Sequence, residues 1–444
     1  MNSSRIVVLG NIVNPKSDKK CEFIRNGALV LKAKTVKGEA QYQVEEIGKE
    51  KAILKKLKDE KLKDGFQLID YKDCTIMPAF FDMHFHWVQD DVREMPKANL
   101  LDWLDNYTFP TEKKFQNKKF SKAKSQHFFE RLTGVGTLGG ACYSSIHEHA
   151  LDDAMNAVTG DFVIGNVLMT MNSPKFLTQT KTEAINLVKK LAAKYKTRYA
   201  LTPRFAIATD PETMLETSKI AKKQKCFMQS HLCETKNEID FVTNMYKEKK
   251  GFEKIKSYTE IYKKVGMLGK RSIMGHGIHL QKDELEMLSI TDTAIAHCPT
   301  SNAPIKEKGL GSGLFNFKLI EKNKIRWALG SDIGGGPVLS MFDVIRSFVD
   351  QNKKAGVTGA TYKKALYRST LAGAELLSLD KKKGNLDIGK EANFIVLPKI
   401  KDSEADNLEA LMERYVNKGR KKRLSYDNLV EKVFYKGHLV FSKS

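Results

Sequence analysis

The sequence predicts an α/β protein: a (β/α)8 barrel of the TIM type with a small β-sandwich domain assembled from its two ends. Three observations carry this prediction. The middle of the chain alternates short apolar runs with helix-length amphipathic stretches, the pattern of parallel βα units. Both ends read instead as short strands separated by turns. The stretch between them is long enough to close eight βα units. The expected boundaries are 1–75 and 385–444 for the two parts of the sandwich and 76–384 for the barrel.

The elements follow in order. Residues 5–13, 22–34 and 42–48 read as strands, interrupted by a Lys-rich stretch at 50–64. In the middle, the apolar runs 162–169, 199–202, 226–230 and 325–329 each precede an amphipathic stretch, at 181–195, 211–224, 236–247 and 339–350. Residues 392–397 form an apolar strand. Residues 432–441, KVFYKGHLVF, read as a hairpin turning at Lys436-Gly437.

Composition narrows the function classes. With 41% hydrophobic and 29% charged residues, the 444-residue chain is that of a folded globular protein, not a disordered or collagen-like one. No apolar run reaches the length of a membrane span. The first residues read as a strand rather than a signal peptide. The net charge of +22 raises the question of a nucleic-acid or membrane-surface partner. Only 13 of the 75 basic residues are Arg, however, and the basic residues are spread over 51–63, 113–124, 181–198, 247–256, 381–383 and 418–423. Such a distribution describes a solvated surface and no nucleic-acid partner. The six cysteines form no CxxC pair, which points to free thiols in a reducing, cytoplasmic compartment.

The histidines carry the chemistry. His84 and His86 sit in PAFFDMHFHWVQ, and side chains at i and i+2 of an extended segment share a face. His231 ends the run CFMQSH, His276 follows SIMG, and Asp332 ends IRWALGSD. Each stands where a barrel strand passes to its loop, the end at which such barrels place their chemistry. An HxH pair alone is weak evidence. Followed by His, His and Asp at strand ends, it describes a metal centre suited to zinc, with iron also compatible with imidazole and carboxylate ligands. The cytidine-deaminase type of zinc site is excluded, because neither H-x-E nor CxxC occurs.

The segments MPAFFDMHFHWVQ, LLDWLDNYTFPTEKKF, GGACYSSIH, LTPRFAIATD, QSHLCETKNEIDFV, MGHGIHL, AIAHCPTSN and LGSDIGGGPVLSMFDVIR run in a fixed order from about Pro78 to Val344. On these segments the chain resembles the amidohydrolase superfamily, and NYTFPTEKKF and TPRF resemble its guanine deaminase branch. The resemblance implies metal ligands at His84, His86, His231 and Asp332, a proton-shuttling acid at Glu234, and a His276 that contacts the water at the metal. It implies substrate contacts at Gln89, Arg204 and Phe205. The implied reaction is zinc-dependent hydrolysis of guanine to xanthine and ammonia by a homodimer. Two departures stand out: Ala79 replaces the family's Gly after Pro78, and SHLCET, with Cys233 and Thr235, replaces the usual SHxSEN. Other amino-heterocycles (8-oxoguanine, cytosine, a triazine, an adenosine derivative) are the alternative substrates. A non-catalytic barrel scaffold is the alternative of a different class, opposed by the presence of all four ligands and Glu234.

The proposed roles fit elementary chemistry. Arg204 offers several fixed donors to the O6 and N7 edge of guanine, Phe205 can stack on the ring, and Gln89 can donate and accept at the amidine edge. Trp87, beside the metal pair, is expected to line the pocket or to pack, with Trp103 packing within its helix. Asp82 is expected to hold a strand end, and His297 to support the site or simply pack. His147, His149, His279, His127 and His438 read as structural or surface residues. Cys233 reads as a small buried residue, and Gly334–Gly336 as a place where backbone passes close to the site.

Overall fold

The computed structural model describes residues 4–36, 38–59, 66–302, 309–399, 407–422 and 426–443. Residues 60–64 of the Lys-rich stretch and Arg423 of the last basic run lie outside them. Among the described residues fifteen strands run in the order β1 (Arg5–Pro15), β2 (Cys21–Val36), β3 (Glu39–Lys49), β4 (Gln67–Pro78), β5 (Phe80–His86), β6 (Thr137–Ser144), β7 (Asp161–Leu168), β8 (Ala200–Pro203), β9 (Phe227–Leu232), β10 (Ser272–His276), β11 (Ala294–His297), β12 (Trp327–Leu329), β13 (Phe394–Leu397), β14 (Lys432–Tyr435) and β15 (His438–Ser442).

Strands β5 to β12 form one eight-stranded sheet whose spatial order is their sequence order. The pairings from β7 to β12 are parallel. Backbone bonds from Asp332 N to His84 O, at 2.7 Å, and from His86 N to Ile333 O join the chain after β12 to β5. The nearly closed (β/α)8 barrel follows. Every residue of β5 and of β6 is buried, as strands covered on both faces must be. The helices form where amphipathic stretches meet strong caps. Thr180 opens Lys181–Tyr195 with a capping box to Glu183, Asp210 caps Pro211–Lys223 with Pro211 in the first turn, and Thr235 opens Lys236–Lys247 with a capping box to Glu238.

The chain divides into two compact units: Met1–Phe81 with Arg131–Gly139 and Leu339–Ser444, and Asp82–Glu130 with Gly140–Val338. In this division the residues from Leu339 onward group with the termini, whereas the sequence expectation ended the barrel at 384. The first unit holds a seven-stranded sheet in the order β15-β14-β13-β4-β1-β2-β3. It curls until β3 meets the segment before β13 and the β14–β15 turn: Val44 N donates to Lys390 O, Ala392 N to Tyr42 O, and Tyr42 N to Lys436 O. The period-2 inner positions Ile6, Val8, Leu29, Leu31, Phe394 and Phe434 pack in the enclosed core, as the layers of a sandwich do.

On the other face, Val7, Leu9, Ala28 and Val30 pack against Ile53 and Leu57. Those two residues belong to the helix Glu50–Asp59. Part of the stretch expected only as an interruption is therefore a helix, because two apolar residues at i and i+4 suffice to dock it. The expected hairpin turn stands at Lys436 and Gly437, with φ of 52° and 81°. Gly437 is required twice over: its φ is left-handed, and a Cβ there would lie 2.5 Å from Cβ of Tyr42. Among the described residues no helix is long and apolar enough to cross a membrane. All six cysteines are free thiols.

Candidate active site

The barrel brings the sequence-predicted His and Asp residues together. His84, His231, His276 and Asp332 each offer one ligand atom, all within 4.8 Å of one another. His84 Nε2 lies 3.3 Å from Asp332 Oδ1. His86, outside that group, still places Nε2 at 3.1 Å from His231 Nε2 and 3.5 Å from Asp332 Oδ1. The strand ends turn sharply to aim these groups: His276 has φ of 73° and Asp332 of 51°. Such left-handed backbone costs a non-glycine residue roughly 1–3 kcal/mol. Asp82 ties the seam, accepting from His84 N at 3.3 Å, from Ser331 N at 2.9 Å and from Ser331 Oγ. At Gly275 a Cβ would stand 2.6 Å from His84 Cε1, so only glycine lets the His84 ring lie against β10.

Burial keeps the imidazoles neutral. It pushes the pKa of His84, His231 and His276 down to about 3 and that of His86 well below its ordinary value. His231 Nδ1 bonds to the carbonyl of Arg204, which places the proton on Nδ1 and the lone pair of Nε2 toward the cluster. Among the described residues Nε2 of His84 is buried with no hydrogen-bond partner. Lone pairs crowded at this spacing, together with a carboxylate, are costly to bury unless a cation joins them. The donor set fits a divalent metal.

Glu234 faces this cluster, with Oε2 at 3.5 Å from His276 Nε2. Its Oε1 accepts from Ser312 Oγ at 3.2 Å and Asn302 Nδ2 at 3.4 Å. Burial, with the Asp332 and Glu238 carboxylates nearby, raises its pKa well above the ordinary value and favours the protonated form. Asn302 Nδ2 also lies 3.3 Å from His276 Nδ1. An amide that donates to both leaves the His276 proton on Nε2.

The departure SHLCET is absorbed locally. Thr235 accepts from Glu238 N at 3.2 Å, while Glu238 accepts from Glu234 N at 2.9 Å. Thr caps a helix much as Asn does. Cys233 is fully buried, as expected of a small packing residue.

A cavity opens beside the cluster. Leu100, Trp103, Leu104, Phe205 and Leu310 form its apolar wall, and Gln89 and Arg204 its polar one. Gly335 lies in the lining, where the glycine run passes the site. Trp87 is not in the lining: its Nε1 donates to Ser144 Oγ at 3.0 Å and its ring packs on Phe115. Trp103, expected to pack within its helix, takes that place. His149 bonds to the carbonyl of Phe115, His147 stacks on His149, and His279 bonds to the carbonyl of Ser312; none of the three lines the cavity. His297 stacks on Phe315 at 4.2 Å, a packing role.

Sequence reasoning passed over Glu112. Its carboxylate accepts from Arg204 Nη1 at 2.9 and 2.8 Å and from Gln89 Nε2 at 2.9 Å. Its only signal was its presence in NYTFPTEKKF. Asn302 and Ser312, which hold Glu234, were passed over as well.

Comparison with known proteins identifies the family. The guanine deaminase of Escherichia coli (strain K12) is 29% identical, over 100% of this chain and 98% of its own length. That of Rattus norvegicus is 31% identical, over 76% of this chain and 77% of its own length. The crystal structure of guanine deaminase from C. acetobutylicum with bound guanine in the active site superposes with a TM-score of 0.83 at 25% identity, covering 98% of this chain and 100% of that one. The sequence profile of the amidohydrolase family matches residues 75–440, and the chain belongs to that family.

Proposed function

We propose that this protein hydrolyses guanine to xanthine and ammonia with the help of a bound zinc ion. The observation that carries the reading is the placement of the buried Glu234 carboxyl between a His/Asp metal-donor set and a cavity walled by Gln89, Arg204 and Phe205. Similarity to guanine deaminases supports it.

In this reading His84, His86, His231 and Asp332 hold the metal. Zinc at that position supplies Lewis-acid activation of water near neutral pH, and iron accepts the same donors. Asp332 accepts the proton that the attacking water gives up. His276, protonated on Nε2, donates a hydrogen bond to that water's oxygen. Glu234 delivers its proton to the ring nitrogen beside C2 and then serves the departing amine, a general acid–base role. Arg204 donates to the O6 and N7 edge, Gln89 meets the amidine edge, and Phe205 stacks on the ring. The apolar wall of Leu100, Trp103, Leu104 and Leu310 excludes bulk water. A homodimer in the cytoplasm is the expected setting, and free thiols suit a reducing compartment.

The test is release of ammonia and xanthine from guanine by purified protein, alongside 8-oxoguanine, adenine, cytosine and a triazine, with zinc or chelator. Guanine is the expected substrate. Chelation abolishes release, and Glu234→Gln lowers kcat by about 10²–10⁴-fold. Release from another heterocycle but not from guanine overturns the substrate assignment.

A further inference from the structure

Gln89 and Arg204 reach the cavity from parts of the chain far apart in sequence, and one carboxylate joins them. Glu112 is 1% exposed and stands behind both, outside the lining of the cavity. It takes two bonds from Arg204 and one from Gln89. The ring of Phe109 meets the same guanidinium at 5.1 Å. Both residues come from the helix Phe109–Lys113, delivered by the wide π-helical turn Leu104–Thr108. Such turns re-aim side chains within a helix, which is why they recur at functional sites.

Two consequences follow. The bonds fix the direction of both donors before a ligand arrives. They also cancel the Arg204 charge inside a dry site, where an uncompensated guanidinium would draw anions strongly. Guanine arrives as a neutral base. Xanthine carries a second carbonyl beside its ring N–H groups and loses a proton more readily than guanine, so the product is the more anionic of the two.

We propose that Glu112 is a positioning residue that fixes Arg204 and Gln89 as a charge-neutral donor pair, so that the cavity binds the neutral base in preference to the anionic form of its own product. The inference rests on the guanine reading above. The other ionisable groups lining the cavity are His86, His231, His276, Glu234, Glu238 and Asp332. They are common to wild type and variant, so comparison at one pH isolates Glu112.

The test measures xanthine affinity of the zinc-loaded protein by calorimetry at about pH 6 and about pH 8.5, with KM and kcat for guanine alongside, for wild type and Glu112→Gln. The variant is expected to bind xanthine about tenfold tighter than wild type at the higher pH, as befits one charge-assisted bond, with a smaller gain at the lower pH. Its KM for guanine rises severalfold while kcat changes less. Arg204→Gln leaves the carboxylate uncompensated and carries the opposite sign: weaker xanthine binding than wild type, increasingly so as pH rises. That sign decides the matter if Glu112→Gln fails to fold. Turnover of guanine by wild type with unchanged xanthine affinity in Glu112→Gln, or no pH-dependent loss in Arg204→Gln, overturns the inference alone. Failure of wild type to act on guanine overturns the reading and this inference together.

Discussion

Asn302 shows how much one side chain can decide. Its Nδ2 lies within hydrogen-bond reach of both Glu234 Oε1 and His276 Nδ1. As donor to both, it keeps the His276 proton on the nitrogen that faces the cluster. Asn302→Ala removes that bias without touching a proposed metal ligand. We expect kcat to fall about tenfold or more, with metal content and fold unchanged, because such supporting partners typically weigh that much. Steady-state kinetics beside metal analysis of the purified variant checks this, and an unchanged kcat removes Asn302 from the argument. The same residue shows where sequence reading stops. His84 and His86 announce themselves by i,i+2 spacing, and His231, His276 and Asp332 by ending apolar runs. Asn302 and Glu112 act only through other side chains, 23 to 92 residues away, and leave no local pattern. Trp87 and Trp103 are both apolar and near the site in sequence. Only the three-dimensional path shows that Trp87 is held by Ser144 while Trp103 lines the cavity.

At the scale of elements, the chemistry depends on how strands hand over to helices. The turn after β9 carries Glu234 between His231 and the helix Lys236–Lys247. Cys233 there has φ of 51°, and the Thr235–Glu238 capping box closes the turn. Thr235→Ala should cost about 1 kcal/mol of stability by loss of the cap, whereas Thr235→Asn should cost little. Denaturant unfolding of both variants separates them, and equal midpoints would show that the cap is not what holds this turn. Caps of this kind also made the barrel legible. The expected stretches 181–195 and 236–247 coincide with the helices Lys181–Tyr195 and Lys236–Lys247, because Thr-x-x-Glu signals mark their starts. The helix Glu50–Asp59 escaped notice because Lys dominates it and only Ile53 and Leu57 are buried.

For the molecule as a whole, the site couples stability to metal and to pH. The donors come from β5, β9 and the chain after β12, so a cation that binds them favours the folded chain alone. Removing it leaves three buried imidazoles whose pKa values in the fold are about 3, against about 6.5 in the unfolded chain. Between those values the unfolded state binds more protons than the folded one. The share of stability that these three histidines contribute to the metal-free protein is therefore complete above about pH 6.5 and is lost as pH falls toward 3, by up to about 1.4 kcal/mol per histidine per pH unit, while the buried carboxyls of Asp82 and Glu238, raised to about 7, contribute with the opposite sign. The zinc-loaded protein should melt higher than the chelated one at neutral pH. Between about pH 7.5 and about pH 5.5 chelated wild type should lose about one or two degrees of Tm relative to chelated His84→Asn, which lacks one of these imidazoles. Thermal melts of both forms across that range measure this. A His84→Asn variant whose Tm follows pH as that of wild type does would mean that this histidine is not held neutral by burial. The charge-neutral, metal-ready cluster described above would then lose its physical basis.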